Sequence, residues 1–245
     1  MQKEQYLIFD IETSPIDWKS LSESQQEYLL RYAKTDEEIE KKKFEMALSP
    51  MTAEVVCIGL QLMEKKDESE WEMINRAAFS TKPGYEEDDV TKIELSTGDT
   101  CFISDEKRLL EDFWKILLKY RNAQLVSFNG RNFDAPFLML RSALYKIRPA
   151  RNLMNGTKFN YTGHIDLIDE LTFYMPGSYG ATRRFNFDFY TRAFGITSPK
   201  SEGVDGSMVG ALYKEGKVDV IAEYCLRDIS ATWDLFLHWY QYLKF

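Results

Sequence analysis

Short, continuously apolar runs alternate along this chain with stretches of helical spacing. Residues 5–11 (QYLIFDI) have the length and composition of a strand, and the unbroken Leu7-Ile8-Phe9 run predicts a buried, central one. Residues 54–63 and 71–80 carry further strand signals. Between them and the first strand, residues 17–47 are polar and rich in Glu, Lys and Gln, which predicts one or two helices inserted after that strand. Residues 82–99 hold Pro83-Gly84, an acidic run and Thr97-Gly98-Asp99, the chemistry of a loop or hairpin. Leu109, Leu110, Phe113, Ile116 and Leu117 then fall at helical spacing within residues 105–120.

A third apolar run, 124–128, ends at Asn129-Gly130, and a helix is expected from about 134 to 145. Residues 164–168 look like another strand, and the remainder is mostly helical around a Gly/Ser/Pro-rich loop at 195–206. The final helix has the clearest stripe: Ile221, Cys225, Ile229, Thr232, Phe236, Trp239 and Leu243, at steps of three and four. Strands first, then helix, strand, helix, strand and helices, with no internal repeat, predict a single α/β domain over residues 1–245 with a mixed sheet. Residues 17–47 and 82–99 are its insertions.

Composition adds bounds. Hydrophobic residues make up 44% and aromatics 14% of 245 residues, enough for a sizeable core. No apolar run approaches the roughly 18 residues of a membrane span, and no signal segment opens the chain, so the expectation is a cytoplasmic protein with no membrane partner. Cys57, Cys101 and Cys225 are far apart and form no CxxC pair, which indicates neither a zinc site nor a disulfide framework. A net charge of −8 argues against gripping nucleic acid through a broad basic surface. The charge is uneven, however. Residues 141–192 carry eight basic side chains (Arg141, Lys146, Arg148, Arg151, Lys158, Arg183, Arg184, Arg192) against four acids, so a polyanion has its better landing place there.

The candidate chemistry lies in four acids at the ends of apolar elements: Asp10 and Glu12 in YLIFDIETS, Asp134 in LVSFNGRNFDAPFL, and Asp228 in EYCLRDISATW. Bare charge is costly to hold in such places, and a shared divalent cation would offset the cost. Asp10 and Glu12 point to one face of their strand while Phe9 and Ile11 point to the other. An edge strand with two solvated acids is the competing arrangement. Asp134, followed by Ala135-Pro136, also has the pattern of a helix N-cap. Tyr224 lies one turn before Asp228 on the same helix face, where an ordinary half-buried core tyrosine is the alternative.

Taken together, FDIET (Asp10, Glu12), NGRNFD (Asn129, Phe133, Asp134) and YCLRD (Tyr224, Asp228) resemble the Tyr-type DEDD 3′→5′ exonucleases, in particular the exonuclease domain of family-B DNA polymerases and its stand-alone relatives. His164-Ile165-Asp166-Leu167 and Asp205-Gly206-Ser207 also look like stand-alone members, whereas 17–47 and 82–99 match no part of the pattern. The sister class places histidine five residues before the last Asp, where this chain has Glu223.

The resemblance implies a ribonuclease H-like mixed sheet flanked by helices. It implies two Mg²⁺ or Mn²⁺ ions held by Asp10, Glu12, Asp134 and Asp228, one acidifying the attacking water and the other stabilising the leaving 3′ oxygen. Tyr224 would orient that water. Thr13, Asn129, Phe133 and Lys200 are the candidate substrate contacts, and Asp166 either supports the metal site or begins a helix. The partner expected is the 3′ end of a single strand, DNA ahead of RNA. A 3′→5′ exoribonuclease has the same site chemistry, with sugar choice set by contacts to the 2′ position. A catalytically silent nucleic-acid-binding module is the reading from outside the enzymes.

Overall fold

The computed structural model describes residues 3–67, 70–85 and 90–244, with backbone alone for 201 and 202. Its strands are β1 (Gln5–Pro15), β2 (Ala53–Lys65), β3 (Trp71–Thr81), β4 (Thr91–Glu94), β5 (Thr100–Ser104), β6 (Gln124–Ser127) and β7 (His164–Asp166). Its α-helices are α1 (Glu23–Leu30), α2 (Asp36–Glu45), α3 (Glu106–Lys119), α4 (Asp134–Leu144), α5 (Leu167–Leu171), α6 (Phe187–Ala193), α7 (Val209–Lys214) and α8 (Val218–Tyr242). The seven strands form one mixed sheet in the order β4-β5-β3-β2-β1-β6-β7. β1 is central. It runs antiparallel to β2 and parallel to β6, which in turn runs parallel to β7.

The alternation along β1 divides two cores. Leu7, Phe9 and Ile11 face α3 and α4, packing with Leu109, Leu110, Phe113 and Leu138. Tyr6 and Ile8 face α8, with Ile221, Cys225, Ile229 and Phe236. The predicted α8 stripe is buried from Ile221 to Trp239, and Leu243 packs partly buried against it. Gly59 lets α8 lie against β2: a Cβ there would come 2.5 Å from Ile229 Cδ1 and 2.9 Å from Cys225 Sγ.

Two differences from the sequence pattern have physical causes, and the hairpin expected over 82–99 forms. β1 does not end near Ile11 but continues to Pro15, carried by pairing with β2 through a register shift at Glu12/Thr13. Backbone hydrogen bonds rather than apolar side chains extend it. β5 carries too little pattern to read alone and exists by parallel pairing with β3. The 82–99 segment contributes β4 and pairs it with β5 as a hairpin, while residues 86–89 of that segment lie outside the described residues. Residues 17–47 are helical as expected. Capping boxes at Ser22/Gln25 and Thr35/Glu38 start α1 and α2.

Gly59→Val should force α8 off the sheet and destabilise the protein by about 1–3 kcal/mol, the usual range for overpacking. A urea melt with an unchanged midpoint would show that the helix does not need the close approach.

Candidate metal centre

β1 delivers Asp10 and Glu12 to the α8 side, opposite Phe9 and Ile11. The register places Asp10 across from Gly59 and Glu12 across from Cys57 on β2. Glu12 is buried and Asp10 half-buried. One ligand atom each of Asp10, Glu12 and Cys225 lie within 4.8 Å of one another.

Asp134 arrives from the end of β6 through a tight turn. Asn129 sits in the left-handed region at φ 63°, and a Cβ at Gly130 would strike Ser127 Oγ at 2.3 Å, so the Asn-Gly pair is what the turn requires. Asp166 holds this turn, its carboxylate accepting from the backbone N–H groups of Asn129 (2.7 Å) and Arg131 (2.9 Å). It also caps α5 by accepting from Ile168 N–H. The expectation that Asp166 begins a helix is met, and the same carboxylate holds the turn that leads to Asp134.

Asp134 is not the N-cap that Asp-Ala-Pro suggests. Phe133 occupies that position without a side-chain cap, and Asp134 is the first helical residue. Its Oδ1 instead accepts from the backbone N–H of Ile11 at 3.0 Å, which ties α4 to the strand between Asp10 and Glu12.

α8 supplies Tyr224 and Asp228. Tyr224 is 5% exposed, and its phenol interacts with the Asp228 carboxylate one turn on. Gly206 borders it, since a Cβ there would lie 4.0 Å from the hydroxyl. Asp10, Tyr224 and Asp228 line a pocket of about 220 Å³ with Phe128, Asn186, Phe187, Pro199, Lys200 and Thr232.

The electrostatics show four acids in one field. Burial pushes the Asp10 carboxyl well above the carboxylate range, reinforced by Asp134, Asp228 and Glu12. Burial, then Asp228, Cys57 and Asp134, do the same to Glu12. Asp134 is pushed up to about 7, chiefly by burial, against the pull of backbone hydrogen bonds at its own amide and Ile11. Burial raises Asp228 to about 6, while the Tyr224 phenol, Arg227 and Lys200 oppose the rise. Tyr224 is pushed far above the phenol range by burial and by Asp228, so it stays protonated. Among the described residues no Lys or Arg forms an ion pair with Asp10, Glu12 or Asp134. Carboxylate oxygens without a protein cation are what hard divalent ions take, and one sulfur, Cys225 Sγ, lies among them.

The weaker sequence candidates separate. Lys200 is exposed on the pocket wall, and no ion pair with a described residue holds it. Thr13 lies on a neighbouring pocket of about 360 Å³ with Trp18, Lys43, Phe44 and Gly206, and its hydroxyl donates to Ala47 O at 2.8 Å. Phe133 is half-buried against Phe137, with ring centroids 5.4 Å apart. Asn129 serves the turn through its backbone. Asn186 and Phe187 carry no motif, because only folding brings α6 against the site; Phe128 lies in the LVSFNGRNFDAPFL stretch, where its place before Asn129 was the available signal. Cys225 was read solely as a core residue; its place beside Tyr224 in Y-C-L-R-D was the available signal.

An α/β protein with a seven-stranded mixed sheet and a group of buried acids beside β1 is the class so defined. Residues 68–244 match the family described as "Predicted 3'-5' exonuclease related to the exonuclease domain of PolB", and the chain belongs to that family. The match leaves out residues 1–67, which contain Asp10, Glu12 and the inserted helices. Among solved structures, the family B DNA polymerase of the hyperthermophilic archaeon Pyrobaculum calidifontis superposes with TM-score 0.52 at 16% identity. That likeness covers 97% of this chain and 24% of the polymerase, and it concerns the fold. No curated protein matches the chain. No helix among the described residues is long and apolar enough to cross a membrane.

Stability without metal should depend on pH in a definite direction. Asp134 and Asp228 have raised folded values, so their contribution is complete below about pH 4 and is lost as pH rises through about 6 to 7. Metal-free protein should therefore melt at lower temperature at pH 7.5 than at pH 5, and Asp134→Asn should flatten the slope. Each kcal/mol corresponds to roughly 2–4 °C for a chain of this size. A wild-type melting temperature that rises over that interval in chelator would contradict the repulsion.

Proposed function

We propose that the protein is a metal-dependent 3′→5′ exonuclease that removes nucleotides from the 3′ ends of single-stranded DNA, with residues 1–245 acting as one exonuclease domain. The observation that carries this reading is the set of raised, buried acids from β1, α4 and α8, with Asp10 and Asp228 on one pocket wall beside a protonated tyrosine. Two divalent cations, Mg²⁺ or Mn²⁺, held by Asp10, Glu12, Asp134 and Asp228, would supply an acidified water and neutralise charge at the scissile phosphate.

The chain's own groups divide the remaining work. Tyr224 keeps its proton at neutral pH, so it orients the attacking water by hydrogen bonding and does not act as a base. Lys200, exposed at the pocket edge, is placed to meet a phosphate. Phe128 and Phe187 give the pocket an apolar wall for sugar or base. Beyond it, Phe185 and Phe189 are 38% and 58% exposed with centroids 5.0 Å apart, and Arg183 lies over Phe185 at 4.9 Å. Exposed rings interleaved with cations suit unpaired bases, which stack without sequence preference. This favours a single strand over a duplex.

The assay is end-labelled single-stranded DNA, RNA and a 3′-blocked DNA with Mn²⁺. Successive shortening of unblocked DNA is expected. Faster shortening of RNA would move the assignment to an exoribonuclease, and no cleavage of any strand would favour the silent module. Tyr224→Phe should lower turnover on the DNA by about 10²-fold or more, the low end for a positioned proton-transfer group. Its Mn²⁺-induced rise in melting temperature should persist, since the phenol is not among the proposed ligands. Wild-type turnover in that variant would remove Tyr224 from the mechanism.

A further inference from the structure

The turn of α8 that presents Tyr224 also presents a thiol to the carboxylates. Cys225 is fully buried, with Sγ 3.6 Å from Asp10 O and 3.8 Å from Asp10 Oδ2. It forms a compact triad with Asp10 and Glu12. Cys57, the cross-strand partner of Glu12 on β2, is fully buried beside this group. Phosphodiester hydrolysis as proposed makes no use of the sulfur.

Its chemistry selects a different ion. Mg²⁺ binds oxygen in octahedra at about 2.0–2.1 Å, which sets neighbouring donors about 2.9 Å apart. Tetrahedral Zn²⁺ takes sulfur at about 2.3 Å and carboxylate oxygen at about 2.0–2.2 Å, so its sulfur–oxygen edge is about 3.6 Å. The 3.8 Å between Cys225 Sγ and Asp10 Oδ2 is close to that edge and far from the magnesium one. Thiolate ligands favour zinc and other thiophilic ions over magnesium.

We propose that Cys225, Asp10 and Glu12 form a binding site for a thiophilic divalent cation, zinc, which competes for the carboxylates required by Mg²⁺ or Mn²⁺. Binding exchanges the thiol S–H bond for a zinc–sulfur bond; the proton leaves to solvent and no electron is transferred. The site borrows Asp10 and Glu12 from the hydrolytic reading, but its test requires no cleavage. A cysteine chosen only for size, to fit against Gly59, would show none of the behaviour below.

The probe is Cd²⁺, titrated into the purified, reduced full chain while the sulfur-to-cadmium charge-transfer absorption is followed in the ultraviolet. One such band per chain is expected, displaced by Zn²⁺ and by excess Mn²⁺. Cys225→Ser should abolish the band and weaken Zn²⁺ binding by at least about tenfold, the lower bound for losing even an outer partner of a metal site. Cys57→Ser should keep the band. Absence of a band in the wild type, or its survival in Cys225→Ser, overturns the proposal. If the serine variant does not fold, wild-type protein decides through competition: a cadmium band that Mn²⁺ cannot displace places the sulfur site apart from Asp10 and Glu12. An active nuclease with no band would sink this inference alone; a band without nuclease activity would leave it standing.

Discussion

Negative charge held against an apolar sheet is the constraint on which the site depends. β1 is buried on both faces up to Phe9, and the next residues on its α8 side are acids. The Asp134 hydrogen bond to Ile11 N–H fastens α4 to this strand, and the packing of α8 on Gly59 brings Asp228 over it. Beyond burial, Asp134 and Asp228 raise both Asp10 and Glu12, Glu12 raises Asp10, and Asp228 raises Asp134. Secondary structure thus stores a repulsion that protons relieve at low pH and that a divalent cation, on the proposed function, would relieve at neutral pH.

Further supports act at one remove. Asp166, itself pushed up to about 6 mainly by burial, binds the two amides that set the Asn129-Gly130 turn. The inserted helices return to β1 at Ala47, whose carbonyl takes the Thr13 hydroxyl. The insertion therefore closes the side of the site next to the register shift that redirects the strand after Glu12. Its Trp18 and Phe44 line the larger neighbouring pocket, which reaches Gly206 near the Tyr224 hydroxyl.

What the sequence made legible follows from local physics. Apolar runs exposed β1, β2, β3 and β6, and period 3.6 exposed α3 and α8, because those residues pack whatever their partners. The acids stood out because charge at the end of an apolar run needs an explanation. β5 stayed hidden because a strand this short depends on its neighbours β3 and β4. Asp134 looked like a cap because Asp-Ala-Pro carries that local pattern, and only the distant Ile11 amide decides otherwise. Asn186 and Phe187 reach the pocket through loop closure, which no periodicity encodes. Cys225 was legible as core and illegible as a carboxylate neighbour, since the helix stripe gives its face but not what the sheet sets opposite.

The central claim is that these four acids form one cation site and not four separate buried groups. Calorimetric titration of metal-free protein with Mn²⁺ at neutral pH measures it directly, counting ions bound and, in buffers of different ionisation enthalpy, protons released. The account predicts two ions per chain with release of protons from the raised carboxyls. No saturable binding at millimolar Mn²⁺, or binding with no proton release, would contradict it.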